Sequence, residues 1–194
     1  MTEKIKMCRR HHIFLVSFFV CFLLIMCRML RAAEVTVDST ISTTTTTHNG
    51  SSPTAVFISD QNGYAFYIDS TGACVYSKTI NGGTSWETAV TVDSQTDCLG
   101  LGVWYDQWTS GDNTGTYIHI VTFDSGNDDL WYTRLDTSGN TLTTTVNASG
   151  ASQGGSFTSG ANLPSITKGT DGILYMGIQD GTDSFVIKST DGTT

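Results

Sequence analysis

From Pro53 onward, apolar and β-branched residues alternate with polar ones in short runs: TAVFIS (54–59), YAFYID (64–69), ACVYSKT (73–79), TYIHIVTF (116–123), LWYTRL (130–135), ILYMGIQ (173–179) and SFVIKS (184–189). Gly, Asp, Asn and Ser separate the runs. A period of two bounded by turn residues predicts many short antiparallel strands. No segment outside the amino terminus has a helical period, so the body is expected to be all-β.

The pattern also recurs at longer range. VYSKTINGGTSW (75–86), WYTRLDTSGNTL (131–142) and VIKSTDGTT (186–194) align with Lys78, Arg134 and Lys188 in register, at spacings of 56 and 54. Tyr64–Tyr67, Tyr117–Ile120 and Ile173–Met176 precede them, across the turns DSTG, DSGNDD and DGTD. Each unit therefore holds about four strands in about 54 residues, close to the period of a propeller blade.

TINGGTSW (79–86) is the sharpest local signal. It fits the pattern S-x-D-x-G-x-T-W, with Thr79, Asn81, Gly83, Ser85 and Trp86 at the patterned positions. The second unit keeps Gly139 and Thr141, and the third keeps Ser189 and Asp191. The motif resembles the Asp-box, or bacterial neuraminidase repeat, of sialidase-like β-propellers. Turn chemistry accounts for it. Asn81 can accept from backbone N–H groups of its own turn, Gly83 takes a conformation other residues resist, and Trp86 packs as an apolar clamp.

The resemblance implies an incomplete β-propeller of about two and a half four-stranded blades (54–95, 97–148 and 162–194) after an N-terminal hydrophobic helix. A propeller closes with four to eight blades, so the chain is expected to be a piece of a longer protein, with an uncovered last blade face that invites aggregation. The resembled enzymes hold the substrate carboxylate with three arginines, the first in Arg-Ile-Pro, and use a Tyr nucleophile helped by Glu, with an Asp as acid/base. Arg134 is the only arginine after Arg31, no Arg-Ile-Pro occurs, and Glu34 and Glu87 are the only glutamates of the body. No catalytic residue is assigned. Three functions remain: a sialidase-like module that binds glycans or cell-surface ligands without catalysis, a truncated exo-sialidase or related glycoside hydrolase whose catalytic residues lie elsewhere, and a purely structural adhesin segment.

The amino terminus changes the setting. MTEKIKMCRRHH leads into IFLVSFFVCFLLIMC (13–27), a basic region followed by an apolar one. Residues 1–33 are either a cleaved signal sequence or an uncleaved signal-anchor helix just long enough to span a bilayer, and residues 34–53, rich in Ser and Thr, form a linker. Both readings place the body outside the cytoplasm, membrane-anchored or secreted, where disulfides persist. Cys74 and Cys98 are the only cysteines of the body; a bridge between them and burial as free thiols are the alternatives. Asn49-Gly50-Ser51 and Asn147-Ala148-Ser149 fit the glycosylation pattern.

Charge excludes one partner. Six of the ten Lys and Arg residues precede Ala32 and seventeen of the eighteen carboxylates follow it, so the acidic body repels a phosphate backbone and nucleic acid is not expected. The aromatic group Trp104, Tyr105 and Trp108 in VWYDQW is the candidate ligand-binding surface, with Trp104 and Tyr105 on opposite faces by the strand period. Asp124, Asn127, Asp128 and Asp129 offer oxygen atoms for calcium, but a strand connection prefers the same residues; no cofactor or metal is assigned. His119, without a second ligand at metal spacing, is expected in the core.

Overall fold

The computed structural model describes residues 34–40, 55–94, 97–124, 126, 129–143, 145–149, 162–180 and 183–190. The chain divides into two compact units, Met1–Val35 and Thr36–Thr194. The signal or anchor segment, Asn49 and its sequon, Asn127, Asp128 and Asp191 fall outside the described residues. Among the described residues no helix is long and apolar enough to cross a membrane.

The second unit is all-β. Its first sheet is an antiparallel meander of β1 (Ala55–Phe57), β2 (Gly63–Ile68), β3 (Cys74–Thr79) and β4 (Val90–Thr91). The second sheet contains β5 (Cys98–Tyr105), β6 (Tyr117–Asp124), β7 (Asp129–Asp136) and β8 (Thr141–Leu142), with β9 (Val146–Asn147) also paired to β7. The third contains β10 (Asn162–Lys168), β11 (Leu174–Asp180) and β12 (Asp183–Ser189). None of the three sheets closes on itself.

Lys78, Arg134 and Lys188 occupy equivalent places. Each lies near the end of the third strand of its sheet, opposite Tyr64, His119 and Tyr175 respectively on the second strand. The side-chain period fixes the faces. Tyr64, Phe66, Ile68, Cys74 and Tyr76 of the first sheet pack with Leu101, Val103, Tyr105, Ile118, Ile120 and Leu135 of the second. From its other face, Val121, Phe123, Leu130 and Tyr132 pack with Ile166, Leu174, Met176, Ile178 and Ile187 of the third. The middle sheet is thus covered on both faces. Each fully buried large apolar side chain in these seams contributes about 1.5–3 kcal/mol.

Two glycines set the second seam. A Cβ on Gly102 would stand 2.7 Å from the carbonyl oxygen of Pro164, and one on Gly100 3.1 Å from Pro164 Cδ. Bare backbone on β5 is what lets β10 approach. On the far side of the first sheet, Tyr67, Ala73 and Val75 are covered by Val37 and Ala89, and the Tyr67 hydroxyl donates to Asp38 at 3.0 Å. The start of the Ser/Thr-rich linker is therefore packed on the body.

The outer face of the third sheet differs from what an apolar blade face would show. The positions of Phe66 and Val121 are taken there by Gly177, those of Ile68 and Phe123 by Gln179, and those of Cys74 and Leu130 by Ser184. Val186 is its one strongly exposed aliphatic residue among those described, at 71%. This polar surface is suited to water.

Candidate functional site

The 79–86 turn joins β3 to β4. Asn81 Oδ1 accepts from Ser85 N–H at 2.9 Å and from the Thr79 hydroxyl at 3.0 Å, while Asn81 Nδ2 donates to Ser85 Oγ at 2.8 Å. Gly83 N–H donates to Thr79 Oγ1 at 3.0 Å. Gly82 and Gly83 have φ of 68° and 82°, the left-handed region that glycine enters without steric cost. Trp86, half-buried, meets Phe57 edge-on with ring centroids 6.3 Å apart. These contacts are internal to the hairpin and to β1. In the second unit the corresponding turn is tighter: Asp136 accepts from Ser138 N–H and Oγ–H, and Asn140 supplies the left-handed residue.

In an antiparallel meander the first and third connections lie at one end of the sheet. The turn 106–116 and the turn 137–140 therefore share an end, where Thr137 N–H and Oγ–H both donate to Thr116 O. The aromatic group stands at this same end. Trp104 is half-buried, its indole N–H donates to Thr109 Oγ1 at 3.0 Å, and its ring meets Trp108 edge-on at 5.7 Å. Trp108 is 37% exposed. Tyr105 also meets Trp108 edge-on at 6.4 Å, but it is buried among the apolar residues between the first and second sheets, so it presents no surface to a ligand. Arg134 lies over the ring of Tyr117 with its guanidinium carbon 4.4 Å from the centroid, a cation–π contact.

Beneath these aromatics lies a buried polar cluster. Asp106, 1% exposed, opens a short 3-10 turn at Asp106–Trp108. Its Oδ1 accepts from Lys168 Nζ at 2.6 Å and contacts His119 Nε2 at 2.9 Å, and its Oδ2 accepts from Tyr117 N–H. A carboxylate only accepts, which in the neutral imidazole assigns the proton to Nε2 and makes Nδ1 the acceptor of the Tyr132 hydroxyl, 2.7 Å away. Lys168 also reaches Asp112 Oδ2 at 2.9 Å. Burial pushes the Asp106 carboxyl up, but hydrogen bonds from His119, Lys168 and Tyr117 N–H outweigh it and hold it far below the usual carboxylate range. Burial likewise opposes the Lys168 charge, and its two carboxylate partners more than restore it.

An Asp–His–Tyr series has the form of a proton relay. His119 and Tyr132 are 5% and 3% exposed and stack on one another. With Lys168 arriving from β10, the cluster joins the second sheet to the third. His119 lies in the core with a buried carboxylate partner.

The opposite end of the sheets carries Asp69, Asp93, Asp97, Asp124, Asp129 and Asp183, whereas Lys78, Arg134, Lys168 and Lys188, the cations of the strands described, all lie toward the 79–86 end. Asp97 hydrogen-bonds Asp124, and that contact, with burial and mutual repulsion, pushes the Asp97 carboxyl up. Asp129 accepts from Asn147 Nδ2 at 2.8 Å and from Ser149 Oγ–H at 2.9 Å. The Asn147 amide is thus engaged inside the fold, and Ser149 is fully buried. Among the described residues no group of three or more His, Cys, Asp or Glu is placed to hold a metal ion. At this end Cys74 of β3 and Cys98 of β5 form a disulfide with Cα atoms 5.6 Å apart, joining the first and second sheets.

In comparisons with known proteins, no family model and no curated protein matches the chain. Asp106 is part of VWYDQW, but nothing in the sequence marks a role for it, nor for Tyr132, Asp112 or Lys168. Their separation along the chain left no spacing to notice; a lone acid directly after an aromatic strand was the only available sign.

Proposed function

We propose that the chain is an exported, membrane-anchored module of the sialidase-like β-propeller type that binds glycans or other cell-surface ligands and does not hydrolyse them. The observation that carries this reading is the hydrogen-bonded 79–86 turn on the first of three sheets whose third strands each hold a cation at one equivalent place. The ligand surface is the exposed edge of Trp108 with Trp104 beside it, an apolar platform of the kind that stacks on a sugar ring. This surface lies at the 79–86 end. In the resembled enzymes the active site lies away from that turn, and here the strand connections at that other end carry carboxylates and, among the described residues, no lysine or arginine to hold an anionic sugar. Arg134, committed to Tyr117, is the one arginine among the described residues.

A glycan array probed with the full chain, together with a fluorogenic sialoside assay, tests this reading. At least one glycan is expected to be retained by the wild type and lost at least about tenfold in Trp108→Ala, with no sialoside turnover. An array silent with the wild type, or sialoside hydrolysis abolished by Arg134→Ala, would overturn it.

A further inference from the structure

Asn81 and Gly82 stand side by side, both exposed, in the turn that joins β3 to β4. The pair carries a chemistry of its own. Glycine has no side chain to hinder its backbone nitrogen, so Gly82 N, once deprotonated by hydroxide, can attack Asn81 Cγ. A bond forms between them, the Cγ–Nδ2 bond breaks, and the departing nitrogen takes a proton from water and leaves as ammonia. Water then opens the succinimide ring at either carbonyl, leaving aspartate or isoaspartate at position 81. The net change is one water taken up and one ammonia lost.

The turn both requires this pair and restrains it. Gly82 has a φ of 68°, and a Cβ on it would stand 3.0 Å from the Asp60 carbonyl oxygen, so glycine is favoured directly after Asn81. In the folded chain, however, Gly82 N–H, whose proton must leave, donates to Gln61 O at 2.9 Å. The carboxamide is held from both sides, Oδ1 by Ser85 N–H and the Thr79 hydroxyl, Nδ2 by Ser85 Oγ. Because a backbone N–H only donates, Ser85 also fixes which carboxamide atom is the oxygen. Attack requires these bonds to open.

The geometry points to Asn81 as a modification site guarded by its own turn: it deamidates only in the fraction of time that the turn is open, and the aspartate product fits back into the same bonds. A carboxylate accepts from Ser85 N–H and the Thr79 hydroxyl as the amide oxygen does. Its second oxygen accepts from the Ser85 hydroxyl, which turns round to donate. Isoaspartate instead lengthens the main chain by one carbon and draws Gly82 N–H away from Gln61 O. This site lies within the 79–86 turn and uses no residue of the tryptophan surface.

The test is incubation of the full-length chain in mildly alkaline buffer, folded and in urea. Peptide mass mapping then follows residue 81 apart from the pairs Asn49-Gly50 and Asn62-Gly63. Conversion at residue 81 should be at least about tenfold slower in the folded chain, as a local opening equilibrium dictates. Ser85→Ala, at an exposed position, frees Nδ2 and should quicken conversion in the folded chain between about two- and tenfold, the range for one hydrogen bond. Thr79→Val frees Oδ1 and should act in the same direction. In Asn81→Asp, amide protection at Gly83 and Ser85 should be kept or raised. Conversion equally fast folded and in urea, or absent in both, would overturn the proposal. So would an unchanged rate in Ser85→Ala, or protection lost at Gly83 and Ser85 in Asn81→Asp.

Discussion

Toward the first sheet, the middle sheet turns Leu101, Val103, Tyr105, Ile118, Ile120 and Leu135, and a disulfide joins the two. Toward the third it turns Val121, Phe123, Leu130 and Tyr132, and a buried Asp106–His119–Lys168 cluster joins those two. The positions correspond. Tyr64 and His119 face Lys78 and Arg134 at equivalent places, yet His119 has a carboxylate partner while the fully buried Tyr64 hydroxyl has none among the described residues. One seam is apolar with a covalent bond; the other is held in part by charge. The same stacking is achieved with different chemistry, so the seams should fail under different conditions.

Reduction should strike the first seam. For a loop closed over 24 residues of separation, loss of the Cys74–Cys98 bridge costs about 3.5 kcal/mol by the chain-entropy relation. Denaturant titration with and without reductant should show this, and hydrogen exchange should rise first in β2 and β3. An unchanged midpoint would mean that the apolar contacts alone hold the first two sheets together.

Acid should strike the second seam. Removing Asp106 leaves Lys168 partly buried with one partner fewer; breaking a buried pair costs about 3–5 kcal/mol, and Lys168, a fifth exposed and still held by Asp112, puts Asp106→Ala at about 3 kcal/mol. The pH dependence follows from the signs. Because the Asp106 carboxyl is depressed when folded, its contribution is full above its ordinary value of 3.8 and is lost as pH falls below it. Lys168 is raised, so its contribution is full below 10.5 and lost as pH rises past its folded value. Asp97, at the acidic end, is also raised, and its contribution is greatest in acid and lost as pH rises. Protection from hydrogen exchange, relative to the intrinsic rate at pH 3, should therefore fall in β10 to β12 before β2 and β3. Equal loss in both seams would contradict the distinction.

The smallest effect should be of opposite sign. A buried, unpaired hydroxyl costs about 1–3 kcal/mol, and burial pushes the Tyr64 phenol up to about 12. Tyr64→Phe should leave stability unchanged or raise it by about 1 kcal/mol. A drop of that size in a thermal or denaturant melt would show that the hydroxyl has a partner in solution.

Much of the fold was legible because it rests on local rules. Alternation marked the strands, turn residues divided them, and the shared register of Lys78, Arg134 and Lys188 picked out one strand in each sheet. The 79–86 hydrogen bonds could also be foreseen, since they lie within one turn. What could not be read depends on stacking. The strand period put Trp104 and Tyr105 on opposite faces, but only the packed sheets show that Tyr105 is the one buried against the first sheet. Asp106, His119, Tyr132 and Lys168 meet through two strand pairings and a seam between sheets, none of which leaves a spacing in the chain. Leu163 gave no warning either, because its left-handed backbone arises from a pairing irregularity beside Pro164.

The stacking requires three sheets of one design facing the same way. Cross-strand nuclear Overhauser contacts on the full-length chain test this most directly. Backbone contacts between Lys78 and Tyr64, Arg134 and His119, and Lys188 and Tyr175 are predicted, together with side-chain contacts from Met176 to Val121 or Phe123. If Lys188 were opposite a residue other than Tyr175, or Met176 made no contact with the middle sheet, the equivalence of the three sheets would be wrong.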